Sequence, residues 1–439
     1  MKYATYIKKY GASIMALAML SACAPSTVAD AAKEAESVTS GITSEPADAS
    51  PDGEGSSDPP KILHLVSNVD GMLGKPGIAS DTGYYDVSIN ADGSSNITYT
   101  DFETCNKIYL TSDLGAKQNT DADSSWVSGG IGYLFYNQDM LYIVGQPQLF
   151  GDDPQPATLW HCNPDGSNRT KFVEIPANQT MMCGVAADEE GNLYTLLETT
   201  TSNGETKNVL TEISIDNGAM SSITEIPMGD GMLGVWQDCF IMTHVKDPDQ
   251  GASMCELYTL SVADGSKQII EEYELDSREM AVTDGSILYL DNAANCLNQL
   301  SLETHETKTL ANNLPLQAER GANHVRGLWG DYFVIRISRI ENGAEKQTLY
   351  GWNISDGTMV TNSYTYQQDG SSHSPELLAA VNGIYLLNYN RIPVTLHTTS
   401  ADGTVYTMED YAFPSAIIAE SDFWADREDF MEVNDQTLS

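Results

Sequence analysis

One short pattern returns seven times along this chain: an aromatic or aliphatic strand, a polar loop, then a hairpin with an acidic turn. Its clearest copies are GNLYTLLE followed by LTEISIDNGAMSSITEI (191–226) and WQDCFIMTHV followed by LYTLSVADGSKQII (236–270). Self-similarity at a period of roughly 40 to 60 residues marks a repeat architecture, in which each unit needs neighbours to bury its apolar faces. All-strand units of this size build propeller blades. The expected fold is therefore all-β: a single β-propeller of seven four-stranded blades, with six or eight as the alternatives.

The second strand of each blade follows a Gly, Asn or Asp turn: GYYDVSI (83–89), DMLYIVG (139–145), GNLYTLLE (191–198), DCFIMTHV (238–245), SILYLDN (286–292), DYFVIRIS (331–338) and GIYLLNY (383–389). Alternation with β-branched and aromatic enrichment marks them as strands rather than helices. Third-to-fourth-strand hairpins are expected at 96–110, 159–175, 210–226, 257–270, 297–310, 349–364 and 395–408. Five carry Asp-Gly or Asn-Gly at the tip, which supplies the positive φ of a tight turn. The first (Asp101-Phe102-Glu103) and the fifth (Glu303-Thr304-His305) lack that glycine.

Innermost strands are expected at 131–136, 181–187, 232–236, 280–283, 324–329 and 376–381. The first blade lacks one, while the chain runs on past its last hairpin as AFPSAIIAESDFW (412–424). Ring closure by a terminal strand follows, with Ser415–Ala419 entering the first blade; the alternative places Ile62–Val66 there. Either closure removes an open sheet edge.

The N-terminus carries Lys2, Lys8 and Lys9, then a short apolar run from Ala12 to Leu20, then Leu20-Ser21-Ala22-Cys23. A run this short cannot span a bilayer and reads as a signal peptide over 1–22. Its ending resembles the lipobox of bacterial lipoproteins, which implies lipidation of Cys23 and an anchor on the extracytoplasmic face of the cell membrane. Residues 23–60 hold eight acids and one base, Lys33, with almost no large apolar side chain. Such a stretch cannot offset its ordering entropy and is expected to act as a disordered acidic tether. The propeller is expected over 61–432, followed by a flexible tail over 433–439.

The chain has 62 acids against 22 bases, a net charge of −40. A surface this negative excludes nucleic acid and anionic lipid as partners, because phosphate binding needs clustered Lys and Arg. Beyond Cys23 lie six dispersed cysteines, 105, 162, 183, 239, 255 and 296, without a CxxC pair. Cys239 and Cys255 fall on consecutive strands of one blade and could lie side by side, although small buried thiols are the simpler reading.

The run GYYDVSI…NITYTDFETCNKIYLTSD (83–113), the recurrent LYxxxxxDG hairpins and the ending IAESDFWADREDF (418–430) resemble the TolB-like propeller lipoproteins of anaerobic Gram-positive bacteria, the DUF5050-like group. The resemblance covers residues 61 to about 432, and its motifs are structural rather than catalytic. It implies an anchored extracytoplasmic propeller and assigns no activity. Many such proteins carry a Cys- and His-bearing stretch after the first blade; here TSDLGAKQNTDADSSW (111–126) has neither.

Catalytic signatures are few. There is no GxSxG elbow, and the seven histidines show no HExxH or facial-triad spacing. Asn119, Asp121 and Asp123 alternate like the start of a calcium loop but lack its later Gly and Glu. No metal and no cofactor is expected. In a propeller, ligands favour the axial pocket where outer-to-inner loops converge, here 228–231, 274–279 and 313–326, with 365–375 in support. Arg278, Arg320 and Arg326 fall in or beside these loops and could grip a carboxylate or sulfate; pairing with Asp276, Glu279 or Glu319 is the plainer reading. Trp236 and Trp329 end their inner strands, where they could stack on a ligand or pack between blades. Trp126 lies in a polar insertion and is expected to be exposed. The reading that fits anchor, tether and site is a monomeric binding module for a peptide, glycan or protein. The alternative is an extracytoplasmic carbohydrate-active hydrolase or lyase using carboxylates in the axial pocket.

Overall fold

The structure is a computed structural model that describes residues 61–438, apart from 70–74, 91–92, 112–116, 121–122, 148–155, 183, 202, 247–253, 276–277, 318–322, 369 and 400–404. The signal peptide, Cys23 and the tether lie outside the described residues, as do Asp121, Asp276 and Arg320.

Seven antiparallel blades follow one another along the chain. Blade 1 runs outward from the axis as Ile78–Ala79, Gly83–Ile89, Ser95–Asp101 and Asn106–Tyr109. Blade 2 is Ile131–Asn137, Met140–Gly145, Thr158–Cys162 and Thr170–Glu174. In blade 3 the inner strand is broken into Gln179–Met181 and Ala186–Ala187, followed by Leu193–Thr200, Thr206–Ile213 and Met220–Ile226. Blade 4 is Gly231–Trp236, Cys239–Lys246, Met254–Ser261 and Lys267–Glu274; blade 5 is Arg278–Thr283, Ser286–Asp291, Cys296–Ser301 and Thr307–Asn312. Blade 6 is Asn323–Trp329, Tyr332–Glu341, Ala344–Asn353 and Met359–Asn362; blade 7 is Glu376–Val381, Ile384–Asn388, Ser415–Ala419 and Met431–Glu432.

Each blade is buried on both faces, which explains why its second strand is nearly all apolar. In blade 4, Phe240 and Met242 pack toward blade 3, while Ile241 between them packs toward blade 5. Seven apolar clusters fill the seven seams between neighbouring blades. The last joins Tyr84 and Phe102 of blade 1 to Ala379, Leu386 and Ile417 of blade 7, and so completes the ring.

Hairpin turns follow their local chemistry. Gly166, Gly218, Gly265 and Gly357 hold positive φ at Asp-Gly or Asn-Gly tips. The two hairpins without that glycine meet the same requirement with Cys105 (φ 55°) and His305 (φ 57°).

Closure differs from both expectations. The inner strand of blade 1 is Ile78–Ala79, paired with Tyr84 and Tyr85. Ser415–Ala419 instead pairs with Ile384–Asn388 as the third strand of blade 7. Residues 395–408, expected as the outer hairpin of that blade, belong to the separate two-stranded hairpin Ile392–Thr399 and Val405–Ala412. The terminal strand that bridges the ring is Asn434–Asp435, which pairs in parallel with Asn106 and Lys107 on the outer edge of blade 1. Residues expected as a flexible tail thus include a paired strand and the short 3-10 turn Gln436–Leu438.

Ile62–Val66 takes a third course. His64–Leu65 pairs with Ala186–Ala187, the axial edge of blade 3. Leu63 N–H donates to the Gln237 carbonyl of blade 4 (2.8 Å), and the Val66 carbonyl accepts from Tyr136 of blade 2 (3.2 Å). The segment therefore crosses the inner edges of blades 4, 3 and 2. Cys239 and Cys255 do not lie side by side: Cys239 pairs with Ser261, and Cys255 pairs with Val245, six residues along the strand. At roughly 3.3 Å per residue that is about 20 Å, far beyond disulfide reach.

Candidate functional site

Strand polarity gives the ring two chemically different faces. On one, the turn face, each inner strand turns into the second. On the other, the crossing face, each outer strand crosses to the next blade. The axial segment meets the turn face: Lys61 Nζ lies 3.5 Å from Asp188, in the inner turn of blade 3, and 3.1 Å from Glu212.

Trp236 and Trp329 end their inner strands at the turn face, paired with Cys239 and Tyr332 across the turn. Trp329 is buried between Tyr385 and Phe423, and Trp236 packs into the seam of blades 4 and 5. Both serve inter-blade packing. Trp126 is half-buried rather than exposed: Trp126–Val127 pairs with the third strand of blade 1, and the indole N–H donates to Ser94 Oγ at 3.0 Å. Arg278 is bonded to Glu271 and lies over the Tyr289 ring at 4.3 Å. Arg326 is bonded to Glu376 at 2.8 Å. Arg278 and Arg326 are thus both ion-paired, and Arg320, the third arginine expected on this rim, lies outside the described residues. Arg278 and Arg326 find acids other than those adjacent in sequence.

A different cluster forms on the crossing face of blades 6 and 7. The connection between these blades folds into a hairpin, Tyr366–Gln368 and Ser371–His373, which docks in parallel on blade 6 through Ser372 and Lys346. Tyr366 and His373 are directly opposite and their rings stack at 5.6 Å. Burial raises the Tyr366 hydroxyl; Arg391, Arg336 and Arg326 act to lower it, and Glu376 to raise it. Four charges from separate segments therefore converge on one phenol. Arg336 sits on the second strand of blade 6 opposite His324, and Arg391 follows the second strand of blade 7. The Arg391 Nη1 donates to Gln368 at 2.8 Å, and its guanidinium lies 4.1 Å from the Tyr411 ring and 5.0 Å from Phe413. Burial works to raise the Glu345 carboxyl. Hydrogen bonds from Gln347 and Ser338, with the charges of His373 and Arg336, outweigh it and leave that carboxyl below its ordinary range.

Of these residues only Arg326 was singled out by sequence, although the 365–375 connection was named as contributing. Arg336 is mid-strand, and Arg391 opens what reads as an ordinary loop. The usable signal was scarcity: with 22 bases in the chain, each arginine near one face is informative.

Blade 4 carries a second polar network. The Asp230 side chain is fully buried, with His244 Nδ1 at 2.5 Å from Oδ1 and the Tyr258 hydroxyl bonded to Oδ2. Beside it, Glu256 lies between Lys246 and Lys267, each at 2.7 Å. Hydrogen bonds from the two lysines hold the Glu256 carboxyl down to about 2, against an ordinary 4.5. A depressed folded-state value stabilises the fold above the unfolded value, and that contribution is lost as pH falls from about 4.5 toward 2. Melting temperature measured across this window should decline, and Glu256→Gln should flatten the decline. An identical profile in the variant would show that these ion pairs carry no folding energy.

Among the described residues, no group of His, Cys, Asp and Glu is arranged to hold a metal ion, and no helix is long and apolar enough to cross a membrane. A small cavity of about 20 Å³, lined by Tyr133, Val144, Ala157 and Met181, has room for about one water.

The class is that of seven-bladed β-propellers. No family model and no curated protein matches the chain. Solved structures do. A puromycin-hydrolysing peptidase of Mycobacterium tuberculosis is 10% identical over 85% of this chain and 53% of its own, with a TM-score of 0.46. TolB from Acinetobacter baumannii is 12% identical over 76% of each chain, TM-score 0.35. An oligogalacturonate lyase in complex with manganese is 13% identical over 81% of this chain and 91% of its own, TM-score 0.40. The chain spans about half the length of the peptidase.

Proposed function

We propose that the protein is a lipid-anchored, extracytoplasmic propeller that acts as a binding module, with the crossing face of blades 6 and 7 as its ligand face. The observation that carries this reading is the asymmetry of the two faces. The axial segment lies against the turn face at Lys61, whereas the crossing face bears a cluster of arginines, a stacked Tyr366–His373 pair and two added hairpins. The anchor itself rests on the sequence: the charged start, the short apolar run and Cys23.

A glycoside hydrolase would need a carboxylate pair with one raised member beside the ligand. One raised carboxyl is Glu420, lifted by burial and by Asp331, next to Gly330 on the turn face. Its place supports binding over catalysis at the crossing face.

The test follows thermal unfolding of residues 61–439 against cell-wall fragments, oligosaccharides, short peptides and carboxylate salts. A ligand that raises the melting temperature with its concentration, and less so in a Tyr366→Ala variant, supports the reading. Shifts indifferent to Tyr366 would move the site elsewhere. For the anchor, mass spectrometry of the membrane-extracted protein should find Cys23 at the N-terminus carrying a diacylglyceryl group; an unmodified Cys23 would refute lipidation.

A further inference from the structure

We infer that Arg391 receives the carboxylate of a small, singly charged ligand. This rests on the crossing face being the ligand face, and it specifies the ligand's chemistry there.

The first argument is charge economy. In a chain of net charge −40, described bases such as Lys61, Lys246, Lys267, Arg278 and Arg326 sit on carboxylates. Arg391 does not: among the described residues its one hydrogen-bond acceptor is the neutral Gln368 side chain. Its Nε is buried and lacks a hydrogen-bond partner. A guanidinium presents five N–H donors; with Nε shielded, the Nη groups are the donors left to meet the two oxygens of a carboxylate. The rings of Tyr411 and Phe413 hold the guanidinium in place. Pre-ordering of this kind lowers the entropy cost of binding.

The second argument sets the charge of the ligand. Glu376 and Glu345 stand in the same cluster as the arginines, and the whole chain repels anions at long range. A monoanion gains the bidentate contact with least repulsion, whereas a phosphate dianion meets these acids twice over. The stacked Tyr366–His373 pair beside the arginines offers a flat surface to whatever the carboxylate is attached to. A peptide C-terminus and a uronic acid share this chemistry.

Calorimetric titration of residues 61–439 with hippurate, hippurate methyl ester, glucuronate and inorganic phosphate separates the cases. The proposal expects hippurate or glucuronate to bind, the neutral ester to bind at least tenfold more weakly, and phosphate not to compete. Whichever acid binds better identifies the source as peptide-like or uronate-like. Arg391→Lys keeps the charge but loses the planar fork, and should weaken binding about tenfold; Arg391→Ala should abolish it. Equal affinity of wild type and Arg391→Lys, or preference for phosphate, would overturn the carboxylate assignment while leaving the face in use. No binding of either acid by the wild type would also overturn it, and the crossing face would then be tested with larger partners. Binding unaffected by both Arg391→Lys and Tyr366→Ala would refute the face itself.

Discussion

Replacing Trp329 with alanine should lower the unfolding free energy by about 3–5 kcal/mol, the usual cost of emptying a large buried aromatic site. Trp329 is 1% exposed. Its ring meets Tyr385 edge-on and Phe423 at a tilt, both at 5.9 Å. The Tyr385 hydroxyl donates to the Trp329 carbonyl at 2.8 Å and accepts from Trp424 Nε1 at 3.0 Å, so one cavity would loosen contacts on both sides of the seam between blades 6 and 7. The effect is read as a lower denaturant midpoint at unchanged slope. This variant also separates two roles for the residue. A stacking platform for ligand would lose affinity and keep its stability; a seam residue loses stability first. A loss under about 1 kcal/mol would contradict the packing role.

Truncating the axial segment with Leu63→Ala and Val66→Ala is the second large effect. Leu63 and Val66 are 5% and 6% exposed, and they enter the seams of blades 3 and 4 and of blades 2 and 3 respectively. Leu→Ala at a buried site costs about 2–5 kcal/mol. The two carbons lost from Val66 add roughly 1.5 kcal/mol at about 0.8 per carbon. The variant should melt earlier and be cleaved faster by protease near residue 61. Wild-type stability would mean that the segment only rests against blades held together without it. The ladder with Ala186–Ala187 and the bond from Leu63 to Gln237 argue that it is built in.

Much of the fold was legible because propeller blades announce themselves locally. A strand, an Asp-Gly turn and a second strand need only neighbouring residues, so seven second strands and six outer hairpins fall where the pattern places them. The seventh hairpin misled for the same reason. TLHTTSADGTVYTM has the alternation and turn of an outer hairpin, and local chemistry cannot say whether such a hairpin docks on a blade or stands apart. Ser415–Ala419 docks because all three of its central residues are buried, on both faces of blade 7. The inner strand of blade 1 is two residues long and carries no period to read.

The candidate site was legible only in part. Arg326 and the 365–375 connection were visible from their place between strands. Arg336 and Arg391 were not, since their value comes from meeting Tyr366 across segments more than twenty residues apart. The tryptophans show the converse: they do end their inner strands, but that end is the turn into the second strand, not the end where the crossing loops enter.

Residue order alone therefore set the strands, the turns and the acidic composition, and favoured seven blades over six or eight. These depend on backbone preference, side-chain period and charge, which act over a few residues or need only counting. Tertiary structure decided which terminal strand closes the ring, where Leu63–Val66 lies and which arginines meet. Those choices are made by burial on both faces of a blade and by hydrogen bonds between distant segments, and neither has a local trace in the sequence.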